Sequence, residues 1–196
     1  MRQKKNPEVY AFIDSQNLNL GVQKMGWKMD WRKFRAYLYD TYGVTKAFMF
    51  IGYIAENEKM YEQIHEAGYL IVLKPTTDMT KPVELKVEKD KVTGSKDAEG
   101  DDPTKKLPIK GNIDAELVLW AMKELKHYEK AIIVSGDGDF YCLAEYLVEQ
   151  GKLLNILTPN WQYSGLLKQF EKYIVRLDQH RRELSYRTMR RKPVQK

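Results

Sequence analysis

The chain has 196 residues, enough for one domain with a sizeable core, and its single cysteine, Cys142, excludes an internal disulfide. No apolar run of transmembrane length and no signal-peptide pattern is visible, so a cytoplasmic protein without membrane association is expected. The net charge of +6 suggests a polyanionic partner, but the segment from Arg181 to Lys196, with seven basic residues and one acid, carries it, and without that segment bases and acids balance.

In chain order, an apolar segment at 8–13 predicts the first strand. A helix is expected over 31–42, where Trp31, Phe34, Tyr37, Leu38 and Thr41 recur at helical spacing between an Asp30 N-cap and a Gly43 stop. Val44 to Ile54 reads as the second strand. Glu56 to Ala67 reads as a helix with Met60, Tyr61 and Ile64 inward, and Tyr69 to Leu73 as a third strand stopped by Pro75.

Between about 76 and 110 the alternation fails. Val83, Leu85 and Val87 alternate with charged residues as in a hairpin arm, and from Lys86 to Lys110 seven lysines and six acids mix with few apolar residues. This reads as a charged insertion at the rim of a site. The pattern then resumes with a helix from about 113 to 126, a strand at 131–135, a helix from 140 to Gln150 and a strand from Leu153 to Leu157. A helix near Ser164 to Phe170 and a short apolar segment, Tyr173 to Leu177, close the body. Continuous apolar strands between amphipathic helices predict an α/β domain over 1–180 with a mainly parallel sheet of five or six strands covered on both faces. Residues 181–196 form a basic tail, read either as a phosphate-binding appendage or as a solvated end.

Four aspartates are the candidates for chemistry. Asp14 ends the first strand in Phe12-Ile13-Asp14-Ser15-Gln16-Asn17-Leu18, with Asn17 presented from the following turn. Asp114 opens a helix in Lys110-Gly111-Asn112-Ile113-Asp114. Asp137 and Asp139 follow the fourth strand in Ser135-Gly136-Asp137-Gly138-Asp139-Phe140, where two glycines permit a tight turn. Each acid alone is also a good turn or helix cap. Together they would lie outside the carboxyl ends of the strands, where open α/β sheets bind ligands. Converging carboxylates repel by roughly 4 kcal/mol per close pair at an effective dielectric near 20. Protons, a basic partner or an oxygen-seeking cation such as Mg²⁺ or Mn²⁺ would relieve them.

On these motifs, with Gly151-Lys152 and a closing segment holding Ser164, Leu167, Phe170 and Ile174, the chain resembles the NYN domain family, in particular its LabA-like bacterial branch within the PIN-like metal-dependent nucleases. The resemblance spans most of the body. It implies a Rossmann-like three-layer α/β/α sandwich, a carboxylate site for Mg²⁺ or Mn²⁺, and cleavage of RNA phosphodiester bonds. It further implies that Asp14, Asp114, Asp137 and Asp139 are metal ligands and catalytic residues, Asp139 either a ligand or the base for the attacking water. Asn17 and Ser135 become polar supports, and Lys110 a contact to the substrate phosphate.

Other α/β readings fail on single residues. A haloacid-dehalogenase phosphatase needs a second aspartate where Gln16 stands, and a receiver domain needs one where Lys74-Pro75 stands. Gly136-x-Gly138 lacks the third glycine of a dinucleotide fingerprint, with Tyr141 in its place. A non-catalytic RNA-binding or assembly module that keeps the fold and the acids is the alternative from another class. A third reading is a toxin-like or defence nuclease silenced by a protein partner or by its own insertion. Homodimerisation would suit a shared RNA groove. Cys142 and the loop aromatics Trp161 and Tyr163 are expected to pack in the core, although the loop opens on the aspartate edge, where rings stack on unpaired bases. His65, His127 and His180 read as surface residues.

Overall fold

The structure is a computed structural model that describes residues 7–53, 55–75 and 113–186. The expected charged insertion, with its hairpin arm and Lys110, lies outside the described residues, as does the basic tail after Tyr186. Strand β1 (Val9–Asp14) is followed by α1 (Ser15–Lys24), α2 (Trp31–Tyr42), β2 (Val44–Tyr53), α3 (Glu58–Glu66) and β3 (Leu70–Pro75). The second part holds α4 (Asp114–Lys123), β4 (Lys130–Val134), a 3-10 turn (Gly138–Phe140), α5 (Tyr141–Glu149) and β5 (Leu153–Thr158). It ends with a 3-10 segment (Gly165–Tyr173), β6 (Ile174–Arg176) and the short α6 (Arg181–Leu184).

The six strands form one sheet in the order β3-β2-β1-β4-β5-β6. Every neighbouring pair is parallel. Chain order runs outward in opposite directions from β1 and β4, so a topological switch point lies between these two strands.

Burial on both faces explains the continuous apolar strands. In β1, Val9, Ala11 and Ile13 face a core shared with Leu18 and Val22 of α1, Phe34 and Leu38 of α2, and Tyr61 and Ile64 of α3. Tyr10 and Phe12 face the other way, into a core with Leu117 and Ala121 of α4 and Leu143, Ala144 and Leu147 of α5. The period-two alternation of side chains thus feeds two apolar layers, and helices cover both, making a three-layer α/β/α sandwich.

The Asp30 side chain caps α2 by accepting from the backbone N–H groups of Arg32 and Lys33, and Gly43 ends that helix at φ 69°. Only glycine takes that left-handed position without a Cβ penalty.

Four local expectations need correction. The segment after Asp14, read as a turn, is the ten-residue helix α1. Its apolar stripe is only Leu18 and Val22, too thin beside Gln16, Asn17, Asn19 and Gly21 to announce a helix. Thr41 is exposed, because the last turn of α2 runs past the core. Met60 is 39% exposed, one residue off the Tyr61/Ile64 stripe. Cys142 is exposed, since α5 turns Leu143, Ala144 and Leu147 inward and leaves its neighbour about 100° away.

The start of the basic segment is docked on the body. Leu184 is buried, Met29 and Ser185 form an antiparallel bridge, and the backbone N–H groups of Asp30 and Tyr186 donate to Leu184 and Lys28. His180 is not a free surface residue: its ring lies 5.2 Å from that of Tyr37.

Candidate acidic site at the switch point

The parallel register sets Asp14 and Ser135 side by side, because Ile13 pairs with Val134 at the ends of β1 and β4. The Ser135 hydroxyl donates to Asp14 Oδ2 at 3.2 Å and accepts from the Asp137 N–H at 3.1 Å. Asn17, one turn into α1, donates its backbone N–H to Asp14 Oδ1 at 3.0 Å, while its side-chain oxygen accepts from Gly136 N–H at 2.9 Å. Ser15 ties the same corner to β2 through a 2.7 Å bond to the Phe50 carbonyl. Three strands and one helix are therefore locked together around Asp14, which is almost wholly buried.

Capping and site-building are not rival roles for these acids. Asp14 caps α1, and Asp137 caps the 3-10 turn through a 3.1 Å bond from Asp139 N–H to its Oδ1. Each cap fixes the carboxylate's direction at a strand end. Asp139 is exposed at the mouth of the crevice, and Asp137 is half-buried.

Asp114 arrives from the other side of the sheet. It opens α4, held in place by buried Ile113, which belongs to the core with Phe12 and Leu117. Its carboxyl is pushed up to about 6, first by burial and then by the negative charges of Asp14, Asp137, Asp139 and Glu116. The other three sequence-predicted aspartates thus all act on the Asp114 carboxyl through their charge. Burial also raises the Asp14 carboxyl, opposed by its bonds from Asn17 and Ser135 and reinforced by the charge of Asp137.

Among the described residues no lysine, arginine or histidine forms an ion pair with Asp14, Asp137 or Asp139. The donors facing the crevice are all oxygen: carboxylates, the Asn17 amide and the Ser135 hydroxyl. The acids are spread, however, and among the described residues no three acidic, histidine or cysteine side chains converge as a finished cation cage. Hydrogen bonds join Asp14, Asn17, Ser135 and Asp137, with Asp139 bonded through its N–H, whereas Asp114 is related to them by charge; Lys110 lies outside the described residues.

Two charged residues at the rim were not singled out by sequence. Lys74, at the carboxyl end of β3, is paired with Glu116 of α4 at 2.9 Å. Glu116 in turn adds to the negative field on Asp114. The available signal was Lys74's position, since a charged residue at the end of an apolar strand lies on the ligand-binding edge of a parallel sheet. Trp161 corrects another expectation: the residue is 57% exposed, because the loop after β5 turns it away from both cores. Tyr163 does pack partly on the α4/α5 core.

A parallel α/β/α sheet with a buried carboxylate, Asp14, and further acids at its switch point defines the class as a Rossmann-like fold with an acidic crevice. The sequence profile of the NYN domain matches residues 8–178, and the chain belongs to the NYN domain family, with its PIN-like nuclease fold. The crystal structure of a protein of unknown function from Vibrio parahaemolyticus is similar, with a TM-score of 0.62 and 19% identity, over 95% of this chain and 100% of that one. At that identity the likeness concerns the fold alone. No curated protein matches the chain.

Proposed function

We propose that the protein is a metal-dependent endoribonuclease of the LabA-like branch, hydrolysing RNA phosphodiester bonds at Asp14, Asp114, Asp137 and Asp139. The observation that carries this reading is the joining of the β1 and β4 ends into one hydrogen-bonded acidic crevice whose field reaches Asp114. A hard divalent cation fits the donor set. Mg²⁺ keeps several waters and is held by one or two carboxylates together with substrate phosphates, so an open arrangement of acids suits it. Mn²⁺ takes the same oxygen ligands.

Asp14, Asp137 and Asp114 would hold the cation, with Asn17 and Ser135 bonding a water or a phosphate oxygen beside it. When bound, the cation lowers the pKa of water and offsets charge developing on the phosphate. Asp139, exposed at the mouth, adds a ligand oxygen or accepts the proton of the attacking water. Buried Asp14 helps position Asp137 through Ser135. An RNA substrate and a single exposed thiol both suit the cytoplasm, and among the described residues no helix is long and apolar enough to cross a membrane.

The spread of the acids is the observation that favours the second reading, an RNA-binding or assembly module without turnover. Cleavage of a labelled mixed-sequence RNA with Mn²⁺, Mg²⁺ or EDTA separates the two. The native chain is expected to cut only with metal, and Asp137→Asn, purified identically, to cut at least about a hundredfold more slowly, the scale of losing several kcal/mol of transition-state stabilisation. Asparagine keeps the oxygen that caps the 3-10 turn, so the variant should fold normally. Equal cutting by both proteins, or none by either, would move the assignment to the binding module.

A further inference from the structure

Beside the acidic crevice lies a cavity of about 200 Å³ lined by Asn17, Leu20, Gly21 and Lys24 of α1 and by Gly136, Pro159, Asn160 and Gln162. The loop that forms its outer wall is held by glycine-dependent contacts at several points. A Cβ on Gly21 would stand 2.4 Å from Pro159 Cβ, and one on Gly138 would stand 2.4 Å from Ser164 Oγ. The buried Asn160 side chain donates to the Gly21 carbonyl at 2.9 Å and accepts from Gln162 N–H at 2.7 Å, and Ser164 N–H donates to the Gly136 carbonyl. Trp161 is not itself part of the lining; it sits between the lining residues Asn160 and Gln162 and is more than half exposed. Leu20 and Leu166 are more than half exposed on the flanking elements, so an acidic centre is bordered by bare apolar side chains.

A large exposed ring on an anchored loop beside the acidic crevice has a specific use. An unpaired base offers a π-face for stacking, whereas in a duplex the neighbouring base pairs cover that face. We propose that this cavity and Trp161 form a subsite for an unpaired nucleobase of the RNA strand, placed next to the phosphate that the aspartates receive. This deepens the nuclease reading and rests on it for the placement of that phosphate. Asn17 belongs to both parts: its carbonyl oxygen braces Gly136 in the acidic crevice, and the residue lines the cavity. Asn17, Leu20, Gly21 and Lys24 recur along one helix face, so the row leads away from the acids for about two turns. Lys24 stands at its far end, and just beyond it the Arg181 guanidinium donates to the carbonyls of Met25 and Gly26. Two cations there suit the next backbone phosphates.

The test uses an unstructured labelled 12-nucleotide RNA and the same sequence as a blunt duplex, with binding read by anisotropy and tryptophan quenching in EDTA, where no cutting occurs. Trp161→Ala should bind the single strand about tenfold more weakly with little change for the duplex, and Trp161→Phe should recover most of the loss. Trp161 is exposed, so neither variant should disturb folding. Asp137→Asn should retain the quenching, which separates this subsite from the catalytic assignment: loss of metal-dependent cleavage tests the acids, and loss of single-strand preference tests the ring. Equal single-strand affinity of Trp161→Ala and the native chain, equal losses on both probes, or binding of neither probe by the native chain overturns the proposal.

Discussion

A carboxyl group that holds its proton more tightly after folding makes the folded state sensitive to pH, and Asp114 is such a group. Its pKa rises from 3.8 to about 6 because α4 buries it beside other acids. The folded chain thus binds more protons than the unfolded chain between these values. Asp114's favourable contribution is complete below about pH 4, and is lost as the pH rises through 6. Above that, its charge is a standing cost, reduced by solvent screening and by the positive end of α4. Asp114→Asn is therefore expected to stabilise the protein by about 1 kcal/mol at pH 7.5 in EDTA and by nothing measurable at pH 4. Urea unfolding at the two pH values checks this; an equal gain at both would show that repulsion is not the cause. Burial shifts Asp14 in the same direction, against the bonds its carboxyl accepts from Ser135 and from Asn17 N–H. Its charge was readable from sequence only as an acid at a strand end. The bond to Ser135, 121 residues away, exists because β1 lies beside β4, a pairing that no local pattern records.

At the scale of elements, the legible parts were those with strong local signals. The Asp30 cap and Gly43 stop bound α2 because capping and left-handed chemistry act within a few residues. The strands were legible because two-sided burial makes them apolar throughout. Helix α1 was not, since it is stabilised by its N-cap and by two buried residues rather than by a broad stripe. Its Gly21 has a tertiary purpose instead, allowing Pro159 to approach so that the loop carrying Trp161 can dock. Gly21→Ala should force that loop off α1, costing about 1–3 kcal/mol through overpacking. Thermal unfolding measures the cost, and greater acrylamide quenching of tryptophan fluorescence reports the released loop. An unchanged melting temperature would mean that the loop yields without strain, and Trp161 is then not a fixed platform. The same side-chain geometry explains the misplaced Cys142: helical spacing identifies a stripe, but a residue at its edge is decided by how the helix is rotated against the sheet.

Across the whole molecule, strand order determines what the separate motifs become. The sequence shows alternating strands and helices and puts acids at strand ends, yet only the order β3-β2-β1-β4-β5-β6 makes β1 and β4 neighbours and opens the crevice between them. Two layers of helices then close the sheet, and α4 brings Asp114 to the same edge from the opposite layer to α1. The acids repel one another in the folded chain and are dispersed in the unfolded one, so a divalent cation at the crevice should favour the native state by mass action. At a hundred times its dissociation constant, Mg²⁺ or Mn²⁺ is expected to stabilise by about 2.7 kcal/mol. For a chain of this length that raises the melting temperature by roughly 5–10 °C. The gain should shrink as the pH falls through 6, where a proton on Asp114 competes with the cation. It should be largely absent in Asp137→Asn. NaCl at matched ionic strength is the control, because general screening weakens the repulsion among the acids without binding. A shift of equal size with NaCl, or in the variant, would assign the effect to screening and leave the four acids without a bound metal.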